Sequence, residues 1–275
     1  MVRRIQPCVM TIAGSDSGGN AGVNADLRTF HGYGLHGCTV FAALTAQNPK
    51  AVRAVHFVPP TFIAAQLDAI FEMYAVKALK TGMLATVAAI ETVAAKLRTK
   101  PRIKKVIDPV MVATSGATLL ADDARAALEE LLLPQATLIT PNLPEAEVLL
   151  GDVLASRTDM ERAARALAKK YGCAVLVKGG HAVDVRESVK STACAADVLF
   201  DGRRLSWFAK PVIPHPVSTH GTGCSLAAAL TCELARGASC AAAVEGAKNF
   251  VYEAIRLSYH IGRNCGVLGM PERKK

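Results

Sequence analysis

The sequence predicts an α/β fold: a mostly parallel central sheet with helices on both faces and a β-hairpin at one edge. Three observations predict it. Short apolar runs of strand length alternate along the chain with segments whose apolar residues recur at helical spacing. The composition is 51% hydrophobic but only 5% aromatic, so Ala, Val and Leu carry the apolar content, as strands buried between two helical layers require. Asp201-Gly202 separates two strand-like runs, 197–200 and 203–208, which signals a hairpin. Repeated strand–helix units impose right-handed crossovers and hence a parallel sheet.

The elements follow in order. Residues 8–13 are a short apolar run ending at Gly14, a buried strand. From Gly22 to Tyr33, Val23, Leu27 and Phe30 fall at helical spacing, and 38–46 reads as a second buried strand. Pro59-Pro60-Thr61 opens a helix that reaches about Tyr74, with Phe62, Ile63, Leu67, Ile70 and Phe71 on one face. A strand at 76–80, a helix at 86–97 and a strand at 105–110 come next, then a helix at 122–132 that Pro134 terminates. A strand at 137–140 leads into Pro141-Asn142, which caps a short helix through Leu149. A helix at 159–171 and a strand at 174–178 precede the hairpin. Two long helices, 222–236 and 239–261, follow it. With no linker, repeat or low-complexity stretch, 1–275 reads as a single domain.

The formal net charge is +9, but Lys and Arg are scattered apart from Arg3-Arg4, Lys104-Lys105 and Arg273-Lys274-Lys275. No basic run is interleaved with aromatics, so a nucleic-acid partner is not expected, whereas attraction for anionic substrates is. The eight cysteines form no CxxC pair and several lie in apolar runs, which suggests reduced, mostly buried thiols rather than a zinc site or disulfide framework. No secretory signal region appears, and nothing approaches the ~20 apolar residues of a membrane span. The expectation is a cytoplasmic protein with no membrane partner.

In such a sheet, ligands bind beyond the carboxyl ends of the strands. Asp16, Gln47, Met83, Asp108, Asn142, Lys178 and Gly179-Gly180 all lie at or just after the ends of predicted strands, so they gather on one rim. The strongest local signal is His220-Gly221-Thr222-Gly223-Cys224-Ser225-Leu226, a Gly-rich turn opening an Ala-rich helix. Free N–H groups and the helix dipole there favour phosphate. On its own residues, the segment is an anion-friendly helix entry and no more. Cys224 lies in the first turn, where the dipole lowers a thiol pKa, yet it reads as well as a packed core cysteine.

The second Gly-rich stretch, Gly14 to Gly22, lacks the GxGxxG spacing, and no P-loop occurs, which disfavours a dinucleotide-binding dehydrogenase. Asp26, one turn into the first helix, either accepts hydrogen bonds from a ligand amino group or stabilises the helix start. Gln47-Asn48 offer paired donors and acceptors for a ring edge. Asn142-Leu143-Pro144-Glu145 has capping-box form, and its alternative is a hydrated Mg²⁺ and phosphate site. Lys178-Gly179-Gly180-His181 ends a strand with a cation and open backbone, suited to a nucleotide phosphate. His181 and His220 have no partner at metal-ligand spacing and read as hydrogen-bonding loop residues.

Taken in order, these stretches resemble the hydroxymethylpyrimidine/phosphomethylpyrimidine kinases of thiamin biosynthesis, within the ribokinase-like superfamily. The matching segments are TIAGSDSGGNAGVNADLRTF (11–30), GCTVFAALTAQN (37–48), KTGML (80–84), DPVMVATSG (108–116), LITPNLPEAE (138–147), VKGGH (177–181) and THGTGCSL (219–226). The resemblance implies a ribokinase-like three-layer sandwich. It also implies ATP-dependent phosphorylation of 4-amino-5-hydroxymethyl-2-methylpyrimidine and then of its monophosphate, with Mg²⁺, in a homodimer.

It further implies that Asp26 and Gln47 hydrogen-bond the aminopyrimidine while Ala21, Thr45, Met83 and Val110 shape its pocket. Asn142, Lys178 and Thr222 would serve the nucleotide, Asp108 and Glu145 the metal, and Gly221, Thr222 and Gly223 the anion hole. Cys224 would be the general base, where many ribokinase-like sugar kinases have Asp. Asn20 and Asn24 depart from the family's usual small residue and Gln, beside the substrate loop. Residues 182–196 are polar and read as a flap near the nucleotide. Two rivals share the fold: a pyridoxal kinase, and a non-catalytic ligand-sensing homologue.

Overall fold

Strand β1 (Cys8–Gly14) is buried along its whole length, and its side chains alternate between two cores. Val9 enters one; Cys8, Met10 and Ile12 enter the other. The same alternation recurs at Val106 and Ile107, at Leu138 and Ile139, and at Leu176 between Val175 and Val177. A strand apolar on both sides needs a helical layer on each, which is why the runs were continuous rather than alternating with polar residues.

The computed structural model describes residues 7–111, 122–180, 194–262 and 265–271. In chain order the sheet comprises β1, β2 (His36–Asn48), β3 (Ala51–Phe57), β4 (Val76–Thr81), β5 (Lys104–Ile107), β6 (Leu138–Ile139), β7 (Ala174–Lys178), β8 (Cys194–Phe200) and β9 (Leu205–Pro211). Their spatial order is β3-β2-β1-β4-β5-β6-β7-β8-β9. The six strands from β2 to β7 are parallel, and each edge is completed antiparallel, by β3 on one side and β8–β9 on the other.

Helices α2 (Pro60–Met73), α3 (Val87–Arg98), α4 (Asp122–Ala127), α5 (Leu143–Leu150) and α6 (Arg157–Tyr171) cover one face. Helices α1 (Gly22–Gly32), α7 (Thr222–Ala235) and α8 (Cys240–Arg256) cover the other. The predicted three-layer sandwich with an edge hairpin is the observed one. Thr86, Ser156 and Ser239 each accept a backbone hydrogen bond as N-caps, fixing where α3, α6 and α8 begin.

Some expectations are corrected. The last helix does not run to 261: α8 stops at Arg256, and β10 (Tyr259–Gly262) pairs with β11 (Cys265–Val267). The apolar side chains of Leu257, Tyr259 and Ile261 that suggested helix are exposed. The segment after α8 packs tightly instead, with no room for a Cβ at Gly266 beside Val217 or at Gly269 beside Leu257. The predicted helix at 122–132 is α-helical only through Ala127, then widens into a π-helical turn before Pro134. Strand β3 was not expected, because it is an exposed edge with little periodicity.

Lys105 is buried and donates to the backbone carbonyls of Lys100 and Ile103, so Lys104-Lys105 is no anion patch. Arg3-Arg4, 112–116, His181, 182–193 and 273–275 lie outside the described residues. Among the described residues, no helix is long and apolar enough to cross a membrane.

Candidate active site

The parallel strands deliver their carboxyl ends to one rim, where the loop after β1 meets the N-terminus of α7. Between them lies a cavity of about 290 Å³. Ala21, Thr45, Gln47, Met83, Val110 and Cys224 all line it, so six positions from distant parts of the sequence share one space. Asp16, Lys80 and His220 line it as well. A second cavity, of about 320 Å³, is walled by Val212, Ile213, Pro214, Val251, Tyr252 and Ile255, with Lys210 and Lys248 among its polar residues. Thr219 borders both.

Asp16 organises the first loop. Its carboxylate accepts from the N–H groups of Gly18 (2.8 Å), Asn20 (3.0 Å) and Ala21 (2.9 Å), and His220 Nε2 stands 3.8 Å away. Burial works to raise this carboxyl, but His220 and the loop N–H groups outweigh it and hold it below the usual carboxylate range. Thr45 Oγ1 donates to the Ser15 carbonyl, and Gln47 is tied to Ser17 through its backbone N–H and carbonyl, which pins the end of β2 to the same loop.

Two glycines make the closest approaches. Gly22 (φ 55°) lies against the Gly14 carbonyl, and Gly221 (φ 87°) against the Asn20 carbonyl, with no space for a Cβ at either. Gly221 is also the N-cap of α7, and no side chain caps that helix. Thr222, Gly223 and Cys224 thus open α7 directly at the cavity, where a helix start favours an anion.

The structure moves Asp26 off the cavity wall. Asp26, Lys80 and Thr11 are each fully buried. Lys80 Nζ donates to both Asp26 oxygens, at 3.0 and 3.1 Å, and Thr11 Oγ1 donates to Oδ2 at 2.6 Å. Lys80 lines the cavity and Asp26 does not, so the expected direct contact between Asp26 and a ring amino group is not available in this arrangement. Burial pushes the Asp26 carboxyl up, against the pull of Lys80 and Thr11. Burial acts the other way on Lys80, yet Asp26 holds its ammonium above the usual range, helped by Cys224 and Asp108. Three hydrogen bonds, two from Lys80 and one from Thr11, thus converge on one carboxylate.

Cys224 also departs from expectation. The helix dipole was expected to lower its thiol pKa. Burial raises it instead, only partly offset by Lys80 and by a hydrogen bond from the Gly22 N–H. The resting side chain is a thiol.

Farther along the rim, Asp108 accepts from Thr140 Oγ1 and from Lys178 Nζ, both at 2.8 Å. Lys178 Nζ lies beside Gly223, which joins this group to the start of α7. Asn142 and Glu145 form both halves of a capping box on α5, with bonds of 2.8 and 2.9 Å. Glu145 is nevertheless buried, and burial together with the Asp108 charge pushes its carboxyl up to about 7, against the pull of Lys178.

Sequence reading missed two features. Strand β4 carries lysines at 77 and 80, and only burial separates Lys80 from the exposed Lys77, so its pattern alone gave no distinctive signal. The second cavity is built from a Pro-rich loop and one face of α8, with no local pattern to announce it. Lys80→Met leaves Asp26 buried without its cation and is expected to destabilise the protein by about 3–5 kcal/mol in denaturant titrations. Lys80→Met combined with Asp26→Leu should recover most of that stability. A single variant as stable as wild type would show that Asp26 does not depend on Lys80.

The chain matches the phosphomethylpyrimidine kinase family over residues 16–269. It is 42% identical to the hydroxymethylpyrimidine/phosphomethylpyrimidine kinase of Bacillus subtilis, covering 94% of this chain and 92% of that one. It is 44% identical to the thiamine biosynthesis bifunctional protein ThiED of Geobacter sulfurreducens, covering 94% of this chain but 51% of that protein, so it spans about half the relative's length. Among solved structures, an ADP complex of Bacillus subtilis pyridoxal kinase superposes with a TM-score of 0.87 at 37% identity, covering 98% of both chains. The continuous match, together with a cavity built from the matching segments, makes this chain a kinase of the phosphomethylpyrimidine kinase family.

Proposed function

We propose that the protein transfers the γ-phosphoryl group of ATP to the hydroxymethyl group of 4-amino-5-hydroxymethyl-2-methylpyrimidine, and a second one to the resulting monophosphate. The observation that carries this reading is one cavity with Thr45, Gln47, Met83 and Val110 along its wall and Cys224, the first turn of α7, at its border. The ring lies between Met83 and Val110, and Gln47 reads its polar edge. The hydroxymethyl group points to Cys224. The adenine base occupies the second cavity, where apolar walls suit a flat aromatic ring, and the phosphates run past Thr219 to Gly221, Thr222 and Gly223. Lys178 and Asn142 complete the nucleotide site. Lys80 adds positive charge at the first cavity, and Asp26 positions it.

Phosphoryl transfer needs placement and charge neutralisation more than covalent chemistry. The oxygen donors of Asp108 and Glu145 suit Mg²⁺, and a cation between them would offset both the burial and the Asp108 charge that raise the Glu145 carboxyl. Those two residues would hold the ion, which when bound neutralises phosphate charge. Asp108 also fixes the Lys178 ammonium, so one carboxylate orients two cationic contributions. In the first reaction Cys224 takes the alcohol proton; because its thiol is raised above 9.0, the thiolate is a minor form that Lys80 stabilises. In the second reaction the acceptor is already an anion and needs no base.

The 37% identity to a pyridoxal kinase favours one second reading, since pyridoxal is also a flat ring bearing a hydroxymethyl group. Turnover of hydroxymethylpyrimidine, its monophosphate and pyridoxal, measured side by side in wild type and Cys224→Ala, tests the proposal. Wild type is expected to prefer the two pyrimidines. Cys224→Ala should lose about 10²–10⁴-fold on the alcohol and less than about tenfold on the monophosphate. Equal losses would remove the general-base role, faster pyridoxal turnover would select the second reading, and ATP-inert protein would leave a ligand-sensing module.

Glu145 gives a stability test in the absence of divalent metal. A carboxyl raised from 4.5 to about 7 is easier to protonate folded than unfolded, so wild type loses stability as pH rises through that window. Glu145→Gln keeps the cap acceptor without the charge. It should be more stable than wild type by roughly 1–3 kcal/mol at pH 8, equal to it below pH ~4.5, and impaired in Mg²⁺-dependent turnover. A stability gap independent of pH would contradict the assignment.

The eight free thiols suit the reducing cytoplasm. We also read the chain as one catalytic domain that pairs with a second copy, because Leu44, Val55, Phe57 and Phe62 are exposed around the β2–β3 edge. Sedimentation should give twice 28.9 kDa, and Phe57→Lys should shift it to the monomer.

A further inference from the structure

The strands that carry the substrate loop begin, at the opposite end of the sheet, with a cluster of a different chemistry. In the parallel register of β1 and β2, Cys8 faces His36 and Met10 faces Cys38. Residues two apart on a strand share a face, so Cys8, His36 and Cys38 stand together. The two sulfurs are 3.3 Å apart, and one donor atom from each of the three residues lies within 4.8 Å of the others. Both cysteines are buried, whereas His36 is exposed and its ring stacks on Tyr74 at 5.6 Å with an interplanar angle of 5°.

We propose that Cys8, Cys38 and His36 form a zinc site whose fourth position is open to solvent. A tetrahedral ion with Zn–S near ~2.3 Å and Zn–N near ~2.0–2.1 Å requires donor atoms about 3.5–3.8 Å apart, a span that the observed separations bracket. Two thiolates and an imidazole suit a borderline-soft cation and not Mg²⁺, which prefers oxygen. Two thiolates also neutralise the charge of Zn²⁺, so the buried part of the site carries no net charge beside the apolar core. On binding, each cysteine gives up its S–H proton, two S–Zn bonds form, and nothing is oxidised. Because each thiol must lose its proton to bind, loading should tighten as pH rises. Cysteine spacing along the chain gave no sign of this site, because its ligands come from neighbouring strands rather than a CxxC turn.

A zinc ion here would join the starts of β1 and β2, whose other ends hold the Asp16 loop, Thr45 and Gln47. Its role is then structural, away from the reacting atoms. The test uses the full chain, reduced and stripped of metal, titrated with Zn²⁺ against a chromophoric chelator and then with Co²⁺. The expected result is one equivalent bound, about two protons released, a higher unfolding temperature, and thiolate-to-cobalt charge-transfer absorption. Cys38→Ala should abolish that absorption. His36→Ala, exposed and hence tolerated by the fold, should weaken Zn²⁺ binding about tenfold or more. Cys265→Ala should bind like wild type. Absence of Zn²⁺ uptake by the reduced protein, a cobalt spectrum that survives Cys38→Ala, or wild-type affinity in His36→Ala would each overturn the proposal. So would a Cys8–Cys38 disulfide in the isolated protein that, once reduced, takes up no metal.

Discussion

Lys80 reaches the cavity from a buried strand, and its charge is tolerable there because Asp26 lies behind it with Thr11 as a further donor. The three residues come from β1, α1 and β4, so the pair is possible only once those elements have packed. An isolated ammonium or carboxylate at this depth is costly enough to change its protonation state rather than stay charged. Placed together, the two create a fixed cation beside Cys224. The charge pattern then continues along the rim through Asp108, Lys178 and Glu145. Burial, with the Asp108 charge beside it, is what raises Glu145 against the pull of Lys178.

Much of the fold was legible because burial on both faces leaves a strong trace. The central strands are mostly apolar runs of few residues, helices such as α6 and α8 carry one apolar face, and Asn142 with Glu145 spells a capping box that the structure contains. The exposed edge was less legible. Strand β3 gains its structure from pairing with β2, so its own residues need no distinctive pattern. The end of α8 is not legible because Leu257 and Ile261 keep an i, i+4 spacing while facing solvent, and the tight approaches of Gly266 and Gly269 are tertiary facts.

The site shows the same division. Six positions expected around the acceptor do line one cavity, since strand ends in a parallel sheet converge whatever lies between them. Depth was the quantity that sequence could not supply. Asp26 and Lys80 are fifty-four residues apart, and which of them faces the ligand depends on how far the lysine extends from β4. Depth also decides Cys224. Its position at a helix start argued for an acidic thiol, and enclosure by protein reversed that sign.

The approach of Gly22 to the Gly14 carbonyl, and of Gly221 to the Asn20 carbonyl, has a consequence for how such a protein diversifies. Both positions combine a left-handed backbone with no space for a side chain, so the two loops that frame the acceptor tolerate no point substitution there. Gln47, Met83 and Val110 line the cavity from outside those two left-handed turns, so a substitution there meets no such backbone constraint. The shape of the cavity's lining can therefore change while the turns that frame it stay fixed.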